Sequence, residues 1–113
     1  MAVVGSAETP SRRRAAAAEL GDKGIQVNAI CPTVVMTPMG RSVWGPPEKS
    51  APFIAATPAR RFAEPVEVAD AALYLASDAS AMVNGALLMV EGGFTSVLAK
   101  FTCLTSLRTD SSP

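Results

Sequence analysis

A chain of 113 residues with a formal net charge of zero has room for one small domain and no long-range pull toward nucleic acid or an anionic membrane. Hydrophobic residues make up 49% but aromatic residues only 5%, so alanine carries much of the apolar count and favours helices over a dense core. Histidine is absent, and the widely spaced Cys31 and Cys103 make neither a disulfide framework nor a Cys/His metal site; both read as small buried or idle thiols.

The opening stretch, MAVVGSAETPSRRRAAAA, is rich in Ala and Arg and is expected to be an unstructured lead-in. An organelle-targeting peptide is the other reading of it, against which stand Glu8 and the lack of an amphipathic pattern. No apolar core follows a basic start as a secretory leader requires. No apolar run approaches the ~18 residues of a membrane span. The cytoplasm is then the default compartment.

Residues 11–22, SRRRAAAAELGD, read as a helix with Ser11 as N-cap and Gly21 near the end. GIQVNAI, residues 24–30, is a β-branched run suited to a buried strand. Helix, turn and buried strand together make half of an α/β unit. From Pro38 to Ala63 the pattern breaks down: Pro46, Pro47, Pro52 and Pro58 speak against a long helix and for an irregular loop. A helix returns in AEPVEVADAALYLASDAS, residues 63–80. Pro65 sits at its first turn, and Val68, Ala71, Ala72 and Leu75 form one apolar face. MVNGALLMVEGG, residues 82–93, reads as a turn at Asn84-Gly85, a strand through Val90 and a Gly-Gly break. The tail after Phe94 has no clear period.

Taken together, ELGDKGIQVNAICPTVVMTPM, RFAEPVEVADAALYLASDAS and VNGALLMVEGGFT resemble the C-terminal part of a short-chain dehydrogenase/reductase, in order and spacing, across about residues 18–95. The form CPTVVMTPMG with the nearby Trp44 is similar to the L-xylulose (dicarbonyl) reductase-like branch, where Thr33 replaces the commoner family glycine. The resemblance implies an α/β fold, the C-terminal fragment of a Rossmann-type doubly wound parallel sheet. Two parallel strands, two main helices and a long irregular substrate lobe are expected. It divides the chain into an unmatched lead-in (1–14), the family segment (15–95) and an unmatched tail (96–113). Such ends suggest a truncated or differently assembled product.

The resemblance also implies roles. Open α/β sheets bind ligands at the carboxyl edge of their strands. There Pro32 would close the strand and the backbone N–H and C=O of Val35 would match the nicotinamide carboxamide. Thr37 would hydrogen-bond the carboxamide or a pyrophosphate oxygen. Met39, Trp44 and Phe53 would line the substrate lobe. The cofactor is NAD(P), with NADP favoured. The 65–77 helix and the 86–90 strand would meet a second copy or a full-length relative, although Val68, Leu75, Leu88 and Val90 serve equally as internal core. With its inner neighbour missing, the strand at 25–30 is expected to carry an open edge.

Family chemistry needs a tyrosine, a lysine four positions later and a serine. The one tyrosine is Tyr74, with Asp78 at the lysine position, so it reads as a packing residue. Counting back from Asn28 by the family spacing lands on Ala2, with Ser6 where the lysine belongs. No G-x-x-x-G-x-G turn occurs. No catalytic residue is therefore assigned, and the chain is expected to be inactive alone. A non-catalytic module that docks on a full-length relative or on itself is the other function that fits.

Overall fold

The apolar run ahead of Pro32 forms the central strand. The computed structural model describes residues 2–5 and 10–97. In it, β1 (Ala2–Gly5), β2 (Gln26–Pro32) and β3 (Leu87–Val90) make a parallel sheet in the order β1-β2-β3. The register sets Val3 beside Val27 and Ala29 beside Leu87. Successive strand residues face opposite sides of a sheet. Val27, Asn28, Ala29 and Ile30 are all buried, so both faces of β2 are covered. Helix α1 (Pro10–Leu20) packs on β2, and the last long helix, Pro65–Ala76, lies across all the strands.

The α/β class and the parallel pairing of β2 with β3 are as expected; the neighbourhood of β2 is not. Residues 2–5, read as an unstructured lead-in, form β1, and β2 is central rather than an edge. The run AVVG is too short to show a period. Ladder pairing uses backbone groups, however, and a neighbour already in place recruits even a four-residue strand. Ser6, Cys103 and the tail beyond residue 97 lie outside the described residues.

Helix α1 starts at Pro10, a residue ahead of the expected cap, and runs into a tight turn at Gly21–Lys23. The left-handed residue that ends this turn is Gly24 (φ 74°) rather than Gly21.

Polar side chains then tie the amino ends of β2 and β3 to the carboxyl half of α1 and to Ser80. Asn84 donates to the Ala17 carbonyl (3.1 Å) and accepts from the Val27 N–H (3.0 Å). Asn28, 2% exposed, donates to the Val83 carbonyl (2.9 Å) and accepts from the Ala86 N–H (2.9 Å). Gln26 reaches the Ser80 and Val83 carbonyls at 2.6 and 2.8 Å.

The stretch from Pro38 to Ala63 is not irregular throughout. It holds α2 (Pro38–Trp44) and α3 (Pro47–Ala56), which makes Pro65–Ala76 α4. Pro38 and Pro47 open these helices, at the first-turn position where a missing N–H leaves no bond unmade. Pro52 lies inside α3 and removes one ladder bond, consistent with a helix of only 10 residues. The prolines therefore set where helices begin and how short they are.

The apolar core is small: among the described residues, Ala17, Val27, Ala29, Ile30 and Leu75 are buried. Leu75 is 1% exposed, and Val68, Leu88 and Val90 are half-buried beside it. No helix among the described residues is long and apolar enough to cross a membrane.

Candidate functional site

Beyond Pro32, whose ladder partner is Val90, the chain leaves the sheet at the carboxyl edge. It is caught at once by an isolated parallel bridge between Val35 and Ala63. The Ala63 N–H donates to the Val34 carbonyl (3.2 Å), and the Met36 N–H donates to the Ala63 carbonyl (2.9 Å). In such a bridge the residue between the bonded positions turns its own N–H and C=O to the opposite side. The Val35 N–H accordingly meets no acceptor among the described residues. Its carbonyl accepts the Thr37 N–H at 2.8 Å and keeps a second lone pair. Thr37 Oγ1 accepts the Gly40 N–H (3.0 Å) as the cap of α2, which leaves the hydroxyl hydrogen free to donate. Pro32, Val35 and Thr37 thus fall on one short exit segment, where a donor and an acceptor lie on one residue.

Helix α2 carries the chain from Thr37 to Trp44, about 10 Å at 1.5 Å per residue. Trp44 meets Phe53 edge to face, with centroids 4.7 Å apart. Phe62 joins Trp44 at 6.0 Å and Phe94 joins Phe53 at 6.4 Å. The Lys49 Nζ lies 5.7 Å from the Trp44 ring centre. Pro52, Phe53, Ala56 and Phe94 line an apolar cavity of about 180 Å³. Trp44 and Phe53 are therefore brought together, whereas Met39, 76% exposed, stands outside the cluster. Phe62 and Phe94 were not singled out from the sequence. Their signal is positional, since each borders an element that flanks the lobe: Phe62 just before α4 and Phe94 just after the Gly-Gly break.

Charged pairs brace the same region. Arg41 on α2 bonds Glu64 (3.1 Å). Arg61 grips Glu67 through two bonds, 2.5 and 2.7 Å, and Glu67 also accepts the Glu64 N–H (3.0 Å). The Arg61 hydrogen bonds and that backbone donor hold the Glu67 carboxyl down at about 2, and the Arg61 guanidinium is raised in turn. Beneath lies a more polar cavity of about 210 Å³ whose lining includes Arg61, Phe62, Glu67 and Glu91.

Tyr74 is 43% exposed on α4, with Asp78 in the following turn, and no described contact joins it to the exit segment. Among the described residues, no group of three or more His, Cys, Asp or Glu side chains is placed to hold a metal ion. The outward face of α4 presents Val66, Leu73 and Tyr74, and β3 exposes Leu87 and Met89. They lie on the same helix and strand as Leu75, which is buried, and Val68, Leu88 and Val90, which are half-buried.

Comparison with known proteins places most of the chain in one family. The family model described as enoyl-(acyl carrier protein) reductase matches residues 7–95. D-threitol dehydrogenase of Mycolicibacterium smegmatis is 51% identical over 79 residues, covering 70% of this chain and 30% of that protein. D-erythrulose reductase of Gallus gallus is 53% identical over 78 residues, covering 69% and 32%. L-xylulose reductase of Homo sapiens is 49% identical over 78 residues, with the same shares. The chain spans about a third of the length of these curated relatives. Among solved structures, a short-chain type dehydrogenase/reductase from Mycobacterium ulcerans superposes with a TM-score of 0.71 at 33% identity, covering 75% of this chain and 31% of its own. A candidate 2-deoxy-D-gluconate 3-dehydrogenase from Agrobacterium tumefaciens with bound NADP gives 0.72 at 31% identity, covering 77% and 35%. This chain therefore belongs to the short-chain dehydrogenase/reductase family of NAD(P)-dependent oxidoreductases.

Proposed function

We propose that this chain carries the nicotinamide-facing loop and the substrate lobe of a carbonyl or ketose reductase, and that it does not turn over substrate on its own. The unpartnered Val35 N–H beside a carbonyl with a free lone pair is the observation that carries the reading. It suits a planar carboxamide, which needs one donor and one acceptor. The Val35 N–H would donate to the carboxamide oxygen and the Val35 carbonyl would accept from its nitrogen, fixing which ring face meets the substrate. Pro32 ends the ladder and opens the edge. Thr37 has a hydroxyl hydrogen left for the carboxamide or a pyrophosphate oxygen. Trp44 and Phe53 would exclude water on the substrate side; Met39, at the exposed start of α2, is the weakest member of that wall. The bound nicotinamide would exchange hydride with the substrate carbonyl carbon. NADP is favoured over NAD, with support from the NADP in the Agrobacterium structure.

The second half of the reading rests on the tyrosine–lysine pair that the sequence does not supply. Tyr74 has Asp78 four positions on in place of lysine, and no Gly-rich phosphate turn occurs. The test is NADPH oxidation at 340 nm by the pure chain, with L-xylulose or a dicarbonyl as substrate. The expected rate is that of the buffer blank, and turnover dependent on the chain would overturn the proposal.

A second role is favoured by the outward apolar residues of α4, Val66, Leu73 and Tyr74: a surface that docks on a second copy or on a full-length relative. Co-purification with such a relative supports it. A monomer that binds neither counts against it.

A further inference from the structure

We infer that Gly40 is the positioning residue of the Val34–Thr37 loop, the one whose lack of a side chain lets the first turn of α2 seat on the Val35 carbonyl; the inference rests on the nicotinamide reading above. A Cβ at Gly40 would stand 2.1 Å from the Val35 oxygen, 3.1 Å from its carbonyl carbon and 3.3 Å from Thr37 Oγ1. Even the weak carbon–oxygen contacts that proteins tolerate lie at about 3.3–3.6 Å, so the backbone must move if any side chain is added. Glycine is not needed here for its dihedral freedom, since Gly40 is not among the residues of positive φ. It is needed for close approach.

The surroundings decide what would give way. Arg41 anchors α2 through its N–H to the Thr37 carbonyl (2.8 Å) and through its side chain to Glu64 (3.1 Å). The Met36 N–H is held by Ala63. The crowded carbonyl and that Met36 N–H belong to one peptide, Val35–Met36, whose carbonyl also accepts the Thr37 N–H, so a displaced carbonyl strains both bonds. A side chain at residue 40 therefore turns that peptide and changes the angle between the Val35 carbonyl and the Val35 N–H. Those are the two groups that would meet a carboxamide.

The test is backbone amide NMR of the pure chain. In the unmutated chain the Thr37 amide should exchange about tenfold more slowly than the exposed Met39 amide. In Gly40→Ala the Thr37 amide should speed up about tenfold and the Val35 resonance should move, while Ala29 and Ile30 keep their positions. An unchanged Thr37 rate and Val35 resonance in the variant would overturn the inference. Should the variant not fold, the unmutated chain still decides, because a Thr37 amide as fast as that of Met39 overturns it. Titration with nicotinamide mononucleotide separates the two levels: Val35 should shift in the unmutated chain and bind about tenfold more weakly in Gly40→Ala. A loop that responds to the substitution while the unmutated chain ignores the nucleotide sustains Gly40 and sinks the nicotinamide reading.

Discussion

Asn28 is a small side chain with a large share of the fold's polar accounting. Buried at 2% exposure, it joins β2 to the Val83–Ala86 turn through one donated and one accepted bond. In Asn28→Ala the Val83 carbonyl would still have Gln26, but the Ala86 N–H would lose its side-chain acceptor. An orphaned buried donor costs about 1–3 kcal/mol. We expect the unfolding free energy from urea titration to fall by that amount. A change below about 0.5 kcal/mol would mean that water or a backbone shift replaces the bond.

Helix α4 shows how one element serves two directions. Leu75 points into the core at 1% exposure, and Leu75→Ala is expected to cost about 2–5 kcal/mol in urea unfolding. Leu73 points outward at 68% exposure, so Leu73→Asp should leave monomer stability within about 0.5 kcal/mol. If α4 is a docking surface, the same change should abolish association in light scattering after size exclusion. At the amino end, Glu67 is held ionised by Arg61 and the Glu64 N–H, with its carboxyl at about 2 in the fold. A carboxyl lowered on folding adds stability above its ordinary range, and that stability is lost as pH falls through the folded value, here between about pH 5 and 2. Melting temperature should drop across this window, and Glu67→Gln should flatten the drop. Added salt should weaken the effect, because the pair is exposed.

At the scale of the whole molecule, the lobe and the sheet are separately held. Helices α2 and α3 pack chiefly on each other. They join the rest through the Arg41–Glu64 pair and the Trp44–Phe62 and Phe53–Phe94 contacts, and their flanking chain through the Val35–Ala63 bridge and the Ala59 N–H to the Gly92 carbonyl (3.0 Å). The sheet has its own small core under α4, and among the described residues β1 and β3 are its outer strands. Regions with few buried contacts open at lower free energy. In urea, Trp44 fluorescence, which reports the lobe, should therefore change at lower concentration than circular dichroism, which reports the helices as a whole. Coincident transitions would instead show one cooperative unit.

Much of this molecule could be read locally. The β-branched run of β2 and the apolar face of α4 behind Pro65 each follow from short-range preferences, and each forms within about two residues of where those preferences place it. The exit segment from Pro32 to Thr37 was also legible as a place, because a strand must end where proline cannot donate. What could not be read depended on a partner distant in the chain. The run AVVG becomes a strand only because β2 lies beside it. The prolines of the lobe start helices whose aromatic residues gather with Phe62 and, from beyond α4 and β3, with Phe94. The bare glycine at position 40 has its reason only in the carbonyl of Val35. Periodicity and capping act within a few residues and are written in the chain. Edge pairing, ring contacts and close backbone approach act across space, and only the folded arrangement decides them.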